Sequence, residues 1–332
     1  MNGVNSILAC WLTSAVLAYS GATVAQDKPG GYPVRPIRLI ISGSPGAGGD
    51  MMARAVAQIL TDAWGQNAIV DSRPGGSGVI AVETVARAAP DGHTLLVAEA
   101  GTFVINPAIY PRGKLTYDEK SDFIPITGLV RINQALLASK SLPVSNVKEL
   151  IELAKQKPGE LTFGTAGVGS APHMNIELLE NMSGIKLVPV HYRGAAPALT
   201  DLMAGHINLM SVSVSLALPP AQAGQIKILG IGSEKRLAKV PDIPTVAETG
   251  LPGYEATTWF GLFAPAGTPR DVVMKLNAEA KKIFSDPAFE EKFMAPQMFQ
   301  SLVMSPEEFD ALINREMQKW SKVIEAAKIK IE

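Results

Sequence analysis

The sequence predicts an α/β protein of two domains, with a parallel-rich sheet in each domain and a discontinuous first domain. The 332 residues exceed the ~100–200 residues of one typical domain. Hydrophobic residues make up 47% and charged residues 18%, a composition that supports two apolar cores and excludes extended disorder. Short β-branched runs alternate with helical patterns, as in proteins built around parallel strands.

The first part of the body contains three short apolar runs, which predict strands at residues 37–41, 68–70 and 94–98. Between them, residues 50–64 and 79–88 repeat apolar side chains at helical spacing. We therefore expect the order strand, helix, strand, helix, strand.

The middle of the chain repeats this alternation. Asn146, followed three residues later by Glu149, predicts the start of a helix that closes at Lys157-Pro158-Gly159. Further patterns predict strands at 161–163, 187–190, 207–210 and 226–231, and helices at 172–181 and 197–204. A second parallel-rich sheet follows from this order.

The last quarter predicts two long helices with no strand between them. Thr268 is expected to cap the first, with Pro269 at its first position, and this helix runs to about Ser285. Ser305 and Glu308 form the capping box of the second. Both helices are expected to pack back onto the first sheet.

This packing makes the first domain discontinuous. The expected boundaries are residues 36–130 and 256–332 for domain 1 and residues 131–255 for domain 2. The chain is expected to cross between the domains near residues 125–131 and 257–265.

The N-terminus has the features of a cleaved secretory signal. Residues 1–26 carry no charged side chain, an apolar run covers residues 7–19, and small residues follow up to Ala25. We expect residues 1–25 to be a cleaved signal peptide and the protein to be exported. A membrane anchor and a lipoprotein signal ending at Cys10 are the alternatives. After cleavage the chain has no cysteine, which excludes a disulfide scaffold.

Charge and motif content exclude several functional classes. The chain has 30 Lys and Arg against 31 Asp and Glu, whereas a general nucleic-acid binder needs a strongly basic face. No P-loop, G-x-G-x-x-G or G-x-S-x-G motif occurs, and the four histidines form no metal-binding spacing. We expect no metal and no cofactor.

Two glycine-rich turns, each between a predicted strand and helix, are the best candidates for a binding site. Glycines let the backbone approach a ligand, and a helix start offers unpaired N–H groups to an anion. The candidate residues of the first turn are Ser44, Gly46, Ala47, Gly48, Gly49 and Asp50. Those of the second turn are Thr165, Ala166, Gly167, Val168, Gly169 and Ser170. Tight packing turns without a ligand are the alternative.

Five further polar residues follow predicted strands or lie near these turns. Thr102 and Asn106 follow the third strand, and His173 and Arg193 are candidates for contacting the rest of the ligand. Asp201 is included with them, although helix capping is the favoured role for Asp50 and Asp201. An exported hydrolase or lyase using His173, Asp201 or Ser170 is the alternative from another class.

The chain resembles the periplasmic solute-binding component of tripartite tricarboxylate transporters, the TctC or Bug family, over essentially the whole mature chain. The resemblance is carried by short motifs, namely Pro45-Gly46 to Asp50 with Ala53-Arg54, Arg73-Pro74-Gly75-Gly76-Ser77-Gly78, Gly167-Val168-Gly169-Ser170 with His173, Tyr192-Arg193-Gly194, and Pro241-Asp242-Ile243-Pro244-Thr245-Val246-Ala247-Glu248.

The resemblance implies a two-lobed Venus-flytrap fold of the type II binding-protein kind, closing on a small carboxylate. It implies that the two glycine-rich turns hold one carboxylate through backbone N–H groups and ordered waters. It also implies two integral membrane transporter subunits as partners. We expect the protein itself to be a monomer. A sensor that engages a membrane kinase would use the same closing motion. The sequence departs from the family pattern at Ser42-Gly43 and at Ala47, both in the first turn.

Overall fold

The computed structural model describes residues 31–42, 48–73, 75, 78–111 and 113–330. The predicted signal peptide lies outside these residues. The described strands are β1 (Ile37–Ile41), β2 (Ala68–Ser72), β3 (Thr94–Glu99), β4 (Phe123–Ser139), β5 (Thr162–Thr165), β6 (Val188–His191), β7 (Leu209–Ser213), β8 (Ile226–Ile231), β9 (Thr257–Pro265) and β10 (Gln300–Ser301).

The helices in the same ranges are α1 (Gly48–Trp64), α2 (Val79–Ala86), α3 (Asn106–Ile109), α4 (Val147–Gln156), α5 (Ala171–Ser183), α6 (Ala195–Ala204), α7 (Val214–Gln222), α8 (Arg270–Phe284), α9 (Pro287–Phe289) and α10 (Pro306–Ala327). Short π-helical segments cover Gly101–Ile105 and Glu290–Met294, and a 3₁₀ turn covers Ala295–Gln297. No helix among the described residues is both long and apolar enough to cross a membrane.

The sheet consists of two parallel groups joined by antiparallel strands. Its order is β2-β1-β3-β9-β4-β7-β5-β6, and β8 and β10 also pair with β4. In the first group β1 lies between β2 and β3, with all three parallel. In the second group β5 lies between β6 and β7, again all parallel. The α/β alternation and the two parallel-rich regions agree with the sequence prediction.

Strand β4 connects the two groups. Its first part, from Phe123 to Asn133, pairs with β9, and its second part, from Gln134 to Ser139, pairs with β7 and β8. The sequence patterns predicted neither β4 nor β9 as a strand. Both faces of β4 are largely buried, and its pairing shifts register near Pro125 and Gly128, so it lacks the regular alternation that identifies a strand.

The predicted elements of the first three quarters all occur, with ends that agree within three residues. Asn146 caps α4, where its side chain accepts from the Glu149 N–H over 2.9 Å. The capping box at Ser305 and Glu308 is confirmed, with both reciprocal hydrogen bonds present. These two helix caps, which involve only neighbouring residues, could therefore be predicted from the sequence.

Two expectations for the last quarter are wrong, and a third holds only in part. Thr268 does not cap α8, because its hydroxyl donates to the Pro265 carbonyl over 2.8 Å and Pro269 takes the cap position. Strand β10 lies between the two helices and pairs with β4, so they are not free of intervening strands. Helix α10 contacts α5 of the second group as well as β4, because its apolar face joins a cluster that includes Met174.

The loops that leave the parallel strands converge near the junction of the two groups. In open parallel sheets, ligands bind beyond the carboxyl ends of the strands. The loop after β3 occupies this edge in the first group, and those after β5 and β6 occupy it in the second. This edge is therefore where the predicted turn after β5 is positioned.

Candidate functional site

The loop between β5 and α5 is a tight turn whose conformation depends on two glycines. Gly167 has φ +116° and Gly169 has φ +75°, backbone conformations that side chains with a Cβ rarely adopt. The turn begins at the fully buried Thr165 and ends at Ser170, which precedes the first residue of α5. The glycines thus let the chain reverse tightly at the carboxyl end of a buried strand.

Internal hydrogen bonds hold this loop in shape. The Gly167 N–H donates to Oγ1 of Thr165 over 3.2 Å, and the Ser170 hydroxyl donates to the Gly167 carbonyl over 2.7 Å. The Ser170 N–H also donates to the Gly167 carbonyl. The Gly169 N–H donates to Nδ1 of His173 over 3.1 Å. The loop is consequently preorganised by its own polar groups.

These contacts correct part of the expected site. The N–H groups of Gly167, Gly169 and Ser170 are engaged within the loop and are not free to serve a ligand as the sequence analysis expects. His173 is also engaged, since its Nε2 lies 3.2 Å from Oε1 of Glu177. Because Nδ1 accepts from Gly169, the ring proton belongs on Nε2, where it faces this carboxylate.

Two N–H groups of the loop remain available. Ala166 and Val168 have no acceptor for their N–H groups within the described part of the chain. Val168 is also 38% exposed. They lie beside the start of α5, where the helix dipole is positive. The loop therefore offers an uncharged, preorganised site for one anionic group.

The loop after β6 lies beside this turn. The Tyr192 carbonyl is 4.0 Å from the place where a Cβ on Gly167 would lie. The Tyr192 hydroxyl donates to Oδ2 of Asp201 over 2.7 Å, and this bond is the main reason that the pKa of Asp201 lies below its ordinary value. Asp201 lies inside α6 and its carboxylate accepts from the Tyr192 side chain, so the helix-capping role expected for it is wrong.

Arg193, the next residue along the chain, is exposed and makes no hydrogen bond or ion pair with any described residue. Its position after β6 places it at the same edge of the sheet as the glycine turn. A guanidinium here is able to pair with a carboxylate in bidentate fashion. Arg193 is thus an exposed cationic side chain at the edge of the sheet where the candidate loops lie.

His191 forms part of the support beneath the turn. The Thr165 hydroxyl lies 2.7 Å from Nδ1 of His191, and the His191 ring stacks edge-on against His173. Partial burial, with a smaller effect of His173, lowers the pKa of His191. The sequence analysis did not assign this histidine to the site, because only the folded sheet brings it beside Thr165.

The segment after β3 meets the glycine turn from the other group of strands. A Cβ on Gly101 would lie 4.0 Å from the Gly169 carbonyl, and a Cβ on Gly169 would lie 2.5 Å from Cδ1 of Ile109. Thr102 and Asn106, both candidates from the sequence, are buried within this segment. The structure therefore brings the segment after β3 and the turn after β5 into direct contact.

Half of the first glycine-rich turn lies outside the described residues, including Ser44, Gly46 and Ala47. Gly48 and Gly49 form the start of α1, and a Cβ on Gly49 would lie 2.7 Å from the Phe260 ring. Asp50 is 2% exposed and accepts from the Ser72 hydroxyl over 3.0 Å and from Nε of Arg54 over 2.8 Å. Its carboxylate ties the start of α1 to the end of β2.

One acidic residue at this edge was missed by the sequence analysis. Glu99 is the last residue of β3, and the Thr258 hydroxyl donates to its Oε1 over 3.4 Å. Loss of surrounding water raises the pKa of the Glu99 carboxyl above its ordinary value. The signal that the sequence analysis missed is a single carboxylate directly after the apolar run of residues 94–98.

The candidate residues do not assemble into a catalytic triad. The Ser170 hydroxyl donates to a backbone carbonyl, and both ring nitrogens of His173 contact other partners. Asp201 contacts Tyr192 and His206 instead of His173. Among the described residues, no group of three or more His, Cys, Asp or Glu side chains is arranged to hold a metal ion.

Comparison with known sequences finds a matching protein family and similar proteins. The family model described as the tripartite tricarboxylate transporter family receptor matches residues 52–329. The UPF0065 protein in the tcbD-tcbE intergenic region of Pseudomonas sp. (strain P51) is 33% identical over 314 residues. That alignment covers 94% of this chain and 92% of the relative.

Solved structures share the fold over nearly the whole chain. Rpa4515 of R. palustris, solved with adipate, superposes with a TM-score of 0.78 at 33% identity, covering 90% of this chain and 99% of that one. MatC (Rpa3494) of Rhodopseudomonas palustris, solved with bound malate, gives a TM-score of 0.74 at 31% identity, covering 88% and 100%. The predicted two-lobed binding-protein fold is thereby confirmed.

Proposed function

Because the chain belongs to the tripartite tricarboxylate transporter family of receptors, we propose that it captures a small carboxylate-containing solute between two lobes. The protein then delivers that solute to a membrane transporter. Adipate and malate, found in the two solved relatives, are both small dicarboxylates, which supports an organic acid as the ligand class.

The observation that carries this proposal is the turn after β5. It presents the N–H groups of Ala166 and Val168, which have no acceptor among the described residues, beside the start of α5, and residues 165–170 include no acidic side chain. Such an arrangement favours an anion, since N–H dipoles and the helix dipole both point positive charge at it. A carboxylate oxygen fits between two such donors.

The opposite wall of the site is proposed to come from the first glycine-rich turn. Ser44, Gly46, Ala47, Gly48 and Gly49 would bring N–H groups to the same ligand from the other lobe. Gly48 and Gly49 already open the 17-residue helix α1, whose positive end is directed at this region. Asp50 would act by holding the turn through its bond to Ser72 and not by contacting the acid.

The remaining candidates are assigned by position. Arg193 would pair with a second acidic group of the ligand or with its exposed edge. Thr102 and Asn106 would shape the pocket from the segment after β3, which already touches the turn after β5 at Gly101. His173 and Asp201 would act as positioning residues, because their polar atoms hold the two loops of the second lobe.

The proposed lobes are residues 36–130 with 256–332, and residues 131–255. Strand β4 connects the two groups of strands, and β4 and β9 together are proposed to form the floor between the lobes. A ligand that binds both turns stabilises the closed arrangement, so binding shifts an existing equilibrium between open and closed forms. The proposal requires no covalent chemistry, no cofactor and no metal, and the protein is proposed not to be an enzyme.

Location and partners follow from the same argument. Residues 1–25 are proposed to direct export to the periplasm and to be removed there. The closed protein is proposed to act as a monomer and to present both lobes to two integral membrane subunits of the transporter. Nucleic acid is not an expected partner, because the net charge of the chain is −1.

The proposal is tested by thermal unfolding of purified protein that has been unfolded and refolded to remove carried ligand. A panel of mono-, di- and tricarboxylates, aromatic acids and acidic amino acids is added. A ligand present at about 100 times its dissociation constant adds about 2.7 kcal/mol of stability. A shift confined to a few acids, without product formation, supports the proposal; no shift from folded, empty protein contradicts it.

A loop variant links this binding to the turn. Gly167→Val places a β-branched residue at φ +116°, where the nearest atom to a new Cβ is 4.0 Å away. The turn must therefore rearrange for reasons of backbone strain, and acid affinity is expected to fall by at least about tenfold. The matched control is Gly159→Val, at φ +74° in open space and outside the candidate loops. Equal affinities in both variants would contradict the role of the turn.

A further inference from the structure

His173 closes the turn after β5 from the helix that follows it. The Gly169 N–H donates to Nδ1 of His173 over 3.1 Å, and the His173 side chain is 5% exposed. Gly169 is also packed closely against α3, since a Cβ on it would lie 2.5 Å from Cδ1 of Ile109. A buried N–H in such close packing needs its acceptor. The conformation of the turn therefore depends on a free lone pair at Nδ1 of His173.

A proton on Nδ1 removes that acceptor. Nε2 of His173 lies 3.2 Å from Oε1 of Glu177 and carries the ring proton of the neutral form. A second proton can therefore enter only at Nδ1. Imidazole is the side chain that ordinarily changes its charge between about pH 5 and pH 8. Once the ring is charged, His173 and Gly169 present N–H groups to each other, and the turn has to rearrange.

We propose that this proton gates the solute site, so that the turn after β5 loses affinity for an acid as His173 becomes charged. With the ring neutral, the turn keeps the shape in which the N–H groups of Ala166 and Val168 are proposed to bind a carboxylate. With the ring charged, that shape loses the hydrogen bond that closes it. The inference rests on the proposed function, because it concerns the regulation of the same turn.

The positive charge of the ring does not offset this loss by attracting the acid. The Nε2–H of the charged ring still faces the Glu177 carboxylate, so the two side chains together carry no net charge. The hydrogen bond from Gly169, in contrast, is lost outright. A hydrogen bond of ordinary strength corresponds to about a tenfold change in affinity. The effect of the proton on the shape of the turn is therefore expected to decide the direction.

Two titratable side chains near His173 do not contact the turn in this way. The His191 ring of β6 lies 5.2 Å from the His173 ring, and burial, with a smaller effect of His173, lowers the pKa of His191 and favours its neutral form. Partial burial, with a smaller effect of Glu177, raises the pKa of Glu180 to about 7. Its Oε1 accepts from the Leu187 N–H, beyond the other end of α5, and the nearby Lys186 opposes the shift.

The other elements packed against α5 bring few charges to it. Strands β5 and β7 and the segment from Gly101 to Ile109 carry no titratable side chain. The buried acid of α10, Glu316, accepts from Nε1 of Trp320 and pairs with Lys319, whereas the other charged side chains of α10 lie wholly or partly at the surface. The Tyr254 hydroxyl donates to a backbone carbonyl of α5, and burial raises the pKa of Tyr254. These groups leave His173 as the titrating contact of the turn.

The test measures how the affinity for an acid changes with pH. Refolded, ligand-free protein is titrated by calorimetry with malate, adipate, glutamate and citrate at about pH 7.5 and about pH 5.5. His173→Asn places an amide oxygen near the position of Nδ1, an acceptor for the Gly169 N–H that gains no proton. The readout is the ratio of the two dissociation constants within each protein, so a general change in affinity cancels. Because protonation of the acid itself affects both proteins equally, the wild-type ratio is expected to exceed that of the variant about tenfold.

The control variant is His93→Gln, which removes another buried histidine that accepts a backbone N–H. Nε2 of His93 accepts from the Val34 N–H over 3.3 Å, and the glutamine amide oxygen can replace that acceptor. His93 precedes the first residue of β3, at the end of the strand opposite to the candidate loops. Its ratio is expected to equal that of the wild type, and loss of the pH effect in this variant would contradict a specific role for His173.

The gate is also measured without a ligand, by nuclear magnetic resonance of protein with ¹⁵N-labelled glycine. The Gly169 amide signal is expected to shift with pH in the wild type and to stay in place in His173→Asn. Equal affinity ratios in the two proteins, or a wild-type Gly169 signal that does not respond to pH, overturn the gate and leave the proposed function standing. Failure of every acid of the full panel to bind folded, empty wild-type protein overturns the proposed function and the inference together.

Discussion

The backbone N–H of Gly169 donates a hydrogen bond to Nδ1 of His173 over 3.1 Å, and both residues are buried. The imidazole thus closes the turn that it follows, and its other nitrogen faces Glu177 at 3.2 Å. A histidine that looks from the sequence like a ligand contact is instead part of the scaffold of the binding loop. The shape of the proposed anion site depends on it.

His173→Leu is expected to weaken both folding and acid binding. The variant leaves the buried Gly169 N–H without an acceptor, a loss of about 1–3 kcal/mol in the free energy of unfolding. The measurement is urea denaturation together with calorimetric titration of the best acid. His206→Leu is the control, because His206 has a side chain that is 70% exposed. Unchanged stability in His173→Leu would show that the imidazole does not support the turn.

Gly169→Ala is expected to destabilise the protein more than Gly184→Ala. Both glycines have positive φ, +75° and +70°, so each alanine loses about 1–2 kcal/mol from backbone strain. At Gly169 the new methyl would also lie 2.5 Å from Cδ1 of Ile109, whereas Gly184 faces open space. Comparing the denaturation of the two variants gives the stability lost to the steric clash alone. Adding Ile109→Ala to Gly169→Ala should recover part of that stability. Equal losses would exclude a tight contact between the turn and α3.

Asp201→Asn is expected to change the acid sensitivity of folding. The hydrogen bond from Tyr192, with a smaller effect of His206, lowers the pKa of Asp201 in the folded protein. The stabilisation is therefore complete above the unfolded pKa of about 3.9 and disappears as the pH falls through the lower folded value. Melting temperatures of wild type and variant should differ at pH 6 and converge as the pH falls below the folded pKa of Asp201. A gap that is independent of pH would contradict this linkage.

Asn133→Leu is expected to keep or raise stability. Asn133 is 2% exposed, and within the described residues neither its Oδ1 nor its Nδ2 has a hydrogen-bond partner. An apolar side chain of similar size removes that desolvation cost, a gain of up to about 1–3 kcal/mol. Asn175→Leu is the control, since the buried Asn175 donates to Ser211 over 2.9 Å and should lose stability. Equal destabilisation would reveal a partner for Asn133, such as a bound water between the lobes.

Elements that depend on neighbouring residues could be predicted from the sequence, whereas elements that depend on residues far apart in the chain could not. Helix caps at Asn146 and Ser305 and the β8 strand were predicted from a few neighbouring residues, because capping bonds and apolar runs are local. Strands β4 and β9 were missed because residues far apart in the chain determine their pairing and burial. Bulges near Pro125 and Gly128 also erase the alternation that a sequence pattern needs.

The candidate site was predicted in outline and corrected in detail. The turn from Thr165 to Ser170 was identified because glycines after a strand and before a helix have a direct physical meaning. Which of its N–H groups are free was not predictable, because Gly169 is paired with His173 only in the folded loop. Glu99 escaped notice, since its proximity to Thr258 joins residues separated by 159 positions.

The sequence by itself determined the alternation of strands and helices, the positions of the glycine turns and the family to which the chain belongs. These features depend on local periodicity, backbone freedom and short motifs, which survive without knowledge of the fold. Only the tertiary structure decided that one strand joins both halves, that His173 supports the turn and that the Thr258 hydroxyl donates to Glu99. Those outcomes depend on contacts between distant residues, and such contacts exist only after the sheet has formed.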